Sequence, residues 1–229
     1  MGETEKYIKE LDSSRKKHPI LQDKGKFNII TDALRSVNGQ KTTLISIDLE
    51  AFERNTEIVT EIGISIYDPV KEATSLVPSI INIHLILKET IKLRNGAFVH
   101  DHKDNFLGGS SLVVSKKTAV DLIESVLEFY CVQRKAQGYE AAFVGHNLSG
   151  DLNWLKKLGV HLPQNPHILD TEKVYSASHG SQGNSLGAIL KRLRIPHSFL
   201  HNAGNDAYFT LIALLKLSDP HCRRTEKLD

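Results

Sequence analysis

The stretch TLISIDLEAF, residues 43–52, decides the fold class of this chain. It is apolar, rich in β-branched residues and too short for a typical helix, so it predicts a buried β-strand. Asp48 and Glu50 interrupt the apolar pattern, and because they are two residues apart their side chains point to the same face of the strand. No lysine or arginine lies between Lys41 and Arg54. Two ionised carboxylates in an apolar strand need partners, so we expect either a bound cation or an exposed strand edge here.

The segments around this strand predict an α/β domain. Strands come first and alternating helices and strands follow, which indicates a mixed sheet flanked by helices. Residues 56–60 are expected to form a helical turn or loop, and residues 94–111 a long polar loop, because the latter are rich in Asn, Gly, Asp and Ser. The predicted strands lie at residues 43–52, 61–67, 79–87, 141–147 and 167–171, and the predicted helices at residues 3–17, 31–37, 117–136, 150–158, 185–193 and 205–217.

The composition is that of an ordinary globular protein. The 229 residues suffice for one large domain, and the 40% hydrophobic and 24% charged fractions exclude disordered, collagen-like and coiled-coil classes. The formal net charge of +2 permits an anionic ligand without identifying one. The start of the chain has no apolar region typical of a signal peptide, which argues against secretion, and its acids argue against a mitochondrial presequence. Two cysteines are too few for a disulfide framework. We therefore expect an intracellular protein, cytoplasmic or nuclear, with a mitochondrial location left open and no membrane partner.

The chain is expected to divide into three parts. Residues 1–42 are predicted to form a helical or flexible extension, in which Tyr7, Ile8 and Leu11 make a thin apolar stripe suited to docking. Residues 43–217 are predicted to form the main domain, and residues 218–229 a polar C-terminal tail.

Three more polar residues lie at predicted element boundaries. Asp151 and Asp206 each fall in the first turn of a predicted helix, where the helix dipole alone accounts for an acid. His201 taken alone is explained by a surface or core position. The three become informative as a set with Asp48 and Glu50, because all five lie at strand or helix boundaries where a site at a sheet edge assembles.

Three ordered motifs carry a resemblance to a known family. The segments DLE at 48–50, GHNLSGDLNWL at 145–155 and HNAGNDA at 201–207 resemble the motifs of the DEDDh family of 3′→5′ exonucleases, the proofreading-exonuclease group with a ribonuclease H-like fold. The five-residue step from His201 to Asp206 matches the histidine subgroup rather than the tyrosine subgroup. The resemblance extends over residues 43–217 and, more weakly, the chain is similar to a little-characterised fungal branch of the family.

The resemblance implies a fold, a reaction and a set of roles. The fold would be an α/β, ribonuclease H-like mixed five-stranded sheet flanked by helices, and the activity hydrolysis of single-stranded RNA or DNA with two divalent cations, Mg²⁺ or Mn²⁺. Asp48 would bridge the ions, Glu50 and Asp206 would hold the ion that carries the attacking water, and Asp151 would support the other ion. His201 would act as the general base.

Four residues beside the motifs are candidates for contact with the nucleic acid. Ala51 and Phe52 follow the first motif, and Phe52 would either stack on the last base or anchor the core. His146 and Asn147 precede Asp151 and would either line the groove, as the resemblance implies, or cap their strand.

The chain also departs from the family pattern. Ala51-Phe52-Glu53-Arg54 stands where family members often carry a small, flexible segment such as Thr-Thr-Gly, and the loop at residues 94–111 is longer than a minimal member needs. The acids and histidines at residues 100–104 are expected to be solvated rather than to form a metal site.

Other function classes fit the same residues. A non-catalytic nucleic-acid-binding module would keep the fold, although an intact set of five residues counts against it. An endonuclease or integrase-like enzyme is a further alternative because a fold does not determine its reaction. A scaffold that acts through the N-terminal segment would tolerate mutation of every acid.

Overall fold

The computed structural model describes residues 2–72, 79–182 and 184–229. The helices are α1 (Glu3–Ser14), α2 (Lys24–Asn38), α3 (Pro69–Glu72), α4 (Lys116–Leu127), α5 (Arg134–Ala136), α6 (Ser149–Leu158), α7 (Thr171–His179), α8 (Leu186–Arg192), α9 (Ala203–Leu217) and α10 (Pro220–Thr225), and the strands are β1 (Thr42–Phe52), β2 (Asn55–Tyr67), β3 (Ile80–Leu87), β4 (Leu112–Val114), β5 (Glu140–Gly145) and β6 (His167–Asp170). A π-helical segment, Glu128–Gln133, joins α4 to α5.

One mixed sheet runs through the molecule in the order β4-β3-β2-β1-β5-β6. The β1–β2 and β2–β3 pairs are antiparallel, whereas β5 is parallel to β1 and β6 is parallel to β5. The α/β, ribonuclease H-like class with flanking helices is therefore confirmed. The expected number of five strands is wrong, because Leu112–Val114 adds a short sixth strand parallel to the end of β3.

Alternation along β1 gives the sheet its two layers. Ile45, Ile47 and Leu49 face one side, where they pack with apolar residues of α4 and α6. Leu44 faces the other side and packs with α7, α8 and α9. Because Asp48 is an even number of residues from Leu44, the acids of β1 face the layer that contains α9.

The start of α9 lies directly against the sheet at Gly63. This glycine is paired with Asp48 across the β1–β2 ladder. A Cβ atom at Gly63 would lie 1.8 Å from the carbonyl oxygen of Ala203, so no larger residue fits without movement of the helix. The close approach of β2 and α9 brings Asp206, in the first turn of α9, over the acidic end of β1.

Several element boundaries differ from the sequence expectations. The helical turn or loop expected at residues 56–60 is wrong, because β2 begins at Asn55 and pairs with β1 through a tight hairpin at Glu53 and Arg54. Helix α7 was not expected; it follows β6 immediately, with Asp170 as the side-chain cap of its first turn. Helix α2 begins earlier than expected because Asp23 accepts hydrogen bonds from the first turn.

The terminal segments are helical and packed in the described structure. Tyr7, Ile8 and Leu11 of α1 are buried in a cluster with residues of α2 and α7. In the C-terminal segment, the Arg223 side chain is buried and hydrogen-bonds to the Leu217 carbonyl, while its guanidinium also pairs with Asp229. The domain boundaries at residues 42 and 217 stay a prediction. In the part of the chain covered by the structure, no helix combines the length and apolarity of a membrane span.

Candidate active site

Five polar residues converge at one end of the sheet. Asp48 and Glu50 lie on the second half of β1, and Asp151 and Asp206 lie in the first turns of α6 and α9. Asp48 is close enough to the other three acids for each of them to raise its pKa. His201 precedes α9, and its Nδ1 lies 4.0 Å from Oε1 of Glu50. The structure thus brings together all five residues that the three motifs single out.

Backbone contacts hold two of the acids in place. Oδ1 of Asp151 accepts the N–H of Leu49 at 2.8 Å, which ties α6 to β1 beside the DLE motif. Oδ2 of Asp206 accepts the N–H of His201 at 2.9 Å. His201 has a φ of +68°, a left-handed conformation that is uncommon for a residue other than glycine and is often found at functional sites.

Burial and mutual repulsion disfavour the ionised forms of these carboxyls. The pKa of Asp48 is raised well above its usual range, first by burial and then by Asp206, Asp151 and Glu50. Burial is also the largest cause that raises the pKa of Glu50 to about 8, of Asp206 to about 7 and of Asp151 to about 6. Four carboxyls held this close cannot all ionise without a compensating positive charge.

The cluster fits a divalent cation. Ligand atoms of Glu50, His201 and Asp206 all lie within 4.8 Å of one another. Oδ1 of Asp206 is buried and has no hydrogen-bond partner. Carboxylate oxygens are the ligands that Mg²⁺ and Mn²⁺ prefer, so a bound cation would satisfy the orphaned oxygen and offset the repulsion. Within the described residues, no other group of three His, Cys, Asp or Glu side chains meets the same distance.

The four candidate substrate residues lie at the same end of the sheet. Ala51 and Phe52 end β1 at an irregularity of the β1–β2 ladder, and both are half-buried. Nδ1 of His146 lies 2.9 Å from the Thr171 hydroxyl, and burial lowers the pKa of His146. Asn147 is exposed with a φ of +62°. Their contact with nucleic acid stays a prediction.

Sequence reasoning missed a buried pair of residues, Glu61 and His84, that lies beside the acid cluster. Glu61 is paired with Glu50 across the β1–β2 ladder, and its carboxylate lies 2.9 Å from Nε2 of His84. The other ring nitrogen of His84 lies 2.8 Å from the Ser111 hydroxyl. The signal was an acid at the start of the apolar strand EIGISIY, the same kind of interruption that made Asp48 and Glu50 conspicuous.

The acids of the long loop are occupied by other partners. Arg94 forms ion pairs with both Asp101 and Asp104. Of the two histidines between Val99 and Lys103, His100 is exposed and His102 is half-buried. The pKa of His201 is lowered first by burial and then by Coulombic repulsion from these two histidines. The loop therefore borders the site.

Known proteins match the chain over most of its length. The uncharacterized protein YDR514C of Saccharomyces cerevisiae is 45% identical over 219 residues, which cover 86% of this chain and 45% of that protein. The protein named Good for full DBP5 activity protein 2, also of S. cerevisiae, is 41% identical over 226 residues, 89% of this chain and 40% of that protein. The uncharacterized nucleolar protein C2C4.08 of Schizosaccharomyces pombe is 30% identical over 195 residues, 82% of this chain and 73% of that protein. The chain thus spans less than half the length of the two S. cerevisiae relatives.

Among solved structures, the RNase domain of the yeast Pop2 protein aligns with a TM-score of 0.45 and 12% identity, over 85% of this chain and 83% of that one. The family model for the C-terminal domain of DNA polymerase III subunit epsilon-like proteins, of the DEDDh type, matches residues 43–217. These residues contain all three motifs and the five converging side chains. The chain therefore belongs to the DEDDh exonuclease-like family.

Proposed function

We propose that this chain is a metal-dependent 3′→5′ exonuclease that hydrolyses phosphodiester bonds of single-stranded RNA or DNA. The observation that carries the proposal is the convergence of Asp48, Glu50, Asp151 and Asp206 beside His201. Four carboxyls whose ionised forms are disfavoured would bind divalent cations strongly, and a phosphodiester is a substrate that needs such cations beside it.

The acids would hold two divalent cations, Mg²⁺ or Mn²⁺. Asp48, central in the cluster, would contact both ions, with Glu50 and Asp206 on one and Asp151 on the other. When bound, the ions supply stabilisation of the charge that develops on the phosphate and on the leaving oxygen. The Asp151 bond to the β1 backbone and the Asp206 bond to the His201 backbone would keep these oxygens in place as substrate enters.

His201 would take the proton from the attacking water. Its ring is half exposed and lies at the edge of the acid cluster, so it reaches both solvent and the position that a phosphate would occupy. A neutral imidazole accepts a proton most effectively when its pKa lies near the working pH. Ala51, Phe52, His146 and Asn147 would contact the terminal nucleotides.

The substrate and location of the whole protein are part of the same proposal. We propose an intracellular site of action, which agrees with the word nucleolar in the name of the S. pombe relative. A single-stranded nucleic acid is the proposed partner, and choice between RNA and DNA depends on contacts to the 2′-hydroxyl.

The test is digestion of 5′-labelled single-stranded RNA and DNA with Mg²⁺, Mn²⁺ or EDTA. We expect a metal-dependent ladder that shortens from the 3′ end and is absent from Asp48→Asn and Asp206→Asn. Asp121→Asn is the matched control, because Asp121 is an exposed acid on α4 that pairs with Lys117.

Two outcomes would contradict the proposal. Cleavage of a circular single strand would indicate an endonuclease, because a circle offers no 3′ end. Tight binding of the oligonucleotides without cleavage under any metal would indicate a non-catalytic binding module.

A further inference from the structure

The long loop is fastened to β1 just after the DLE motif. The carboxylate of Glu53 accepts N–H bonds from four consecutive residues, at 3.2 Å from Gly96, 2.9 Å from Ala97, 2.8 Å from Phe98 and 3.1 Å from Val99. These bonds, that of Phe98 foremost, lower the pKa of Glu53 to about 2, so its carboxylate is ionised at neutral pH. A carboxylate that accepts four backbone bonds holds this segment in one conformation.

Asn95 adds a second fastening at the same point. Its side-chain amide donates to the carbonyl of Ala51 at 3.0 Å, and its side-chain oxygen accepts the N–H of Glu53 at 3.0 Å. The loop is thus bonded to Ala51 and Glu53, two of the three residues that follow Glu50.

The far end of the loop is fastened to the start of α9. The Asn202 amide donates to the carbonyl of His102 at 3.0 Å, and the Asn205 amide donates to the carbonyl of Asn105 at 3.0 Å. Asn202 is fully buried and also caps α9. The loop therefore crosses from the strand that carries Asp48 and Glu50 to the helix that carries Asp206.

The crossing segment is braced internally. Arg94 pairs with Asp101 and Asp104, and Nζ of the buried Lys103 donates to the Leu93 carbonyl at 2.7 Å. A loop with these bonds at both ends and in its middle has few conformations to lose when a ligand binds, which favours affinity.

Phe98 stands on this braced backbone and is exposed. Its side chain is 81% exposed, the most exposed of the large apolar side chains in the described part of the chain. It lies between the Glu53 anchor and His100, one of the two loop histidines that reach His201. Packing in the core does not explain why the Phe98 ring is exposed to solvent, because the backbone that carries it is held in place beside the site.

We propose that residues 94–104 form a fixed wall of the substrate groove, with Phe98 as a platform on which a base of the single strand stacks and Glu53 as the residue that positions it. The inference rests on the proposed function, since it takes a single-stranded nucleic acid as the ligand. Stacking on an aromatic ring is tolerant of sequence because every base has a π-face, so the wall would contribute affinity without base preference.

The first test separates stacking from any effect on folding. Binding of a short fluorescein-labelled oligothymidylate is measured by anisotropy, with Ca²⁺ in place of Mg²⁺, for the full chain and its variants. Phe98→Ala should weaken binding by about 5- to 150-fold, and Phe98→Trp should restore it. With an oligonucleotide whose bases are replaced by abasic sites, Phe98→Ala and the wild type should bind alike. Phe129→Ala is the matched control, since Phe129 is an exposed aromatic residue on the π-helical segment, beyond the other end of β5.

The second test addresses the positioning role of Glu53. Glu53→Gln should raise amide hydrogen exchange at residues 96–99 and raise KM while kcat changes little. Because Phe98 stacks only when it is held in place, the loss caused by Phe98→Ala should be much smaller in the Glu53→Gln background than in the wild type.

The outcomes distinguish this inference from the function on which it rests. If the wild type cleaves or binds the strand and Phe98→Ala binds as tightly, the wall is refuted and the proposed function stands. An equal loss on normal and abasic strands would also refute the stacking role. If the wild type neither binds nor cleaves, both proposals fail.

Discussion

Replacement of Gly63 by alanine should separate α9 from the sheet and disable the site at a distance. The new Cβ would lie 1.8 Å from the Ala203 carbonyl oxygen and 2.6 Å from the Gly204 nitrogen, whereas real Cβ contacts shorter than 3.0 Å are essentially unknown. Both neighbours are backbone atoms, so no side-chain rotation relieves the clash. The start of α9 must move by about 1.2 Å or more, and Asp206 moves with it away from Asp48.

The expected effect has two parts. Overpacking of a core contact costs about 1 to 3 kcal/mol of unfolding free energy, which for a chain of this length lowers Tm by about 2 to 12 °C. Displacement of a reacting group by about 1 Å costs roughly 10²-fold in rate, so cleavage of a labelled strand should fall by about that factor. The rise in Tm on addition of Mn²⁺ should shrink as well, because the ligand oxygens no longer converge.

Scanning calorimetry with EDTA or Mn²⁺ and the strand-cleavage assay measure both parts. Gly150→Ala is the control, because a Cβ there meets no atom within 4 Å and the residue lies inside α6. Alanine in a helix is favoured over glycine by up to about 1 kcal/mol, so this variant should be as stable as the wild type or more so. The reasoning would be refuted if Gly63→Ala melted within about 1 °C of the wild type and kept its response to Mn²⁺.

Three further predictions concern the site. His201→Ala should lower turnover by roughly 10²-fold or more and leave strand binding largely intact, which single-turnover cleavage and anisotropy measure separately. The pKa values of Asp151, Asp206 and Glu50 are raised to about 6, 7 and 8, so without metal these groups stabilise the fold at low pH and that stability is lost as pH rises through those values. The rise in Tm with Mn²⁺ should therefore be larger at pH 8 than at pH 5, about 5 to 10 °C when the ion is at about 100 times its Kd, and an equal rise at both pH values would contradict the assignment. Asn202→Ala should cost about 1 to 2 kcal/mol, seen in urea unfolding, because it removes a buried helix cap, and unchanged exchange in the 94–111 loop would show that the loop does not depend on it.

The five candidate site residues can be selected from the sequence because each lies in a short segment whose local pattern is distinctive. Asp48 and Glu50 interrupt an apolar strand, Asp151 opens a helix directly after a short apolar strand, and His201 and Asp206 flank the start of the last apolar helix. Strand and helix boundaries depend on nearby residues, so a single sequence contains the information needed to find them.

Features that depend on pairing between distant segments were not predictable in this way. Glu61 pairs with Glu50 because the chain turns in a tight hairpin at residues 53–54 and β2 runs through residues 56–60, where a helical turn or loop is expected from the sequence. The need for glycine at position 63 arises only from contact with Ala203, which is 140 residues away in the chain. The polar composition of residues 94–111 predicts a loop, but it does not predict the hydrogen bonds that join this loop to β1 and to the start of α9.

Buried acids outside the Asp48 cluster each have a partner within the protein. Glu61 is matched by His84, Asp68 by Arg134 and Asp170 by the backbone N–H groups of Asn147 and Leu148. Such acids satisfy the rule that a buried charge has a partner.

The acids around Asp48 are matched less completely, although Asp151 and Asp206 each accept one backbone N–H. Asp206 keeps one buried oxygen without a partner, and after burial the pKa of Asp48 is raised by four neighbouring acids, Asp206, Asp151, Glu50 and Glu61. Local rules are usually broken at functional sites, where a bound ligand supplies what the chain lacks. Binding of cations would relieve this repulsion, and the free energy released on binding would stabilise the arrangement that the proposed hydrolysis requires.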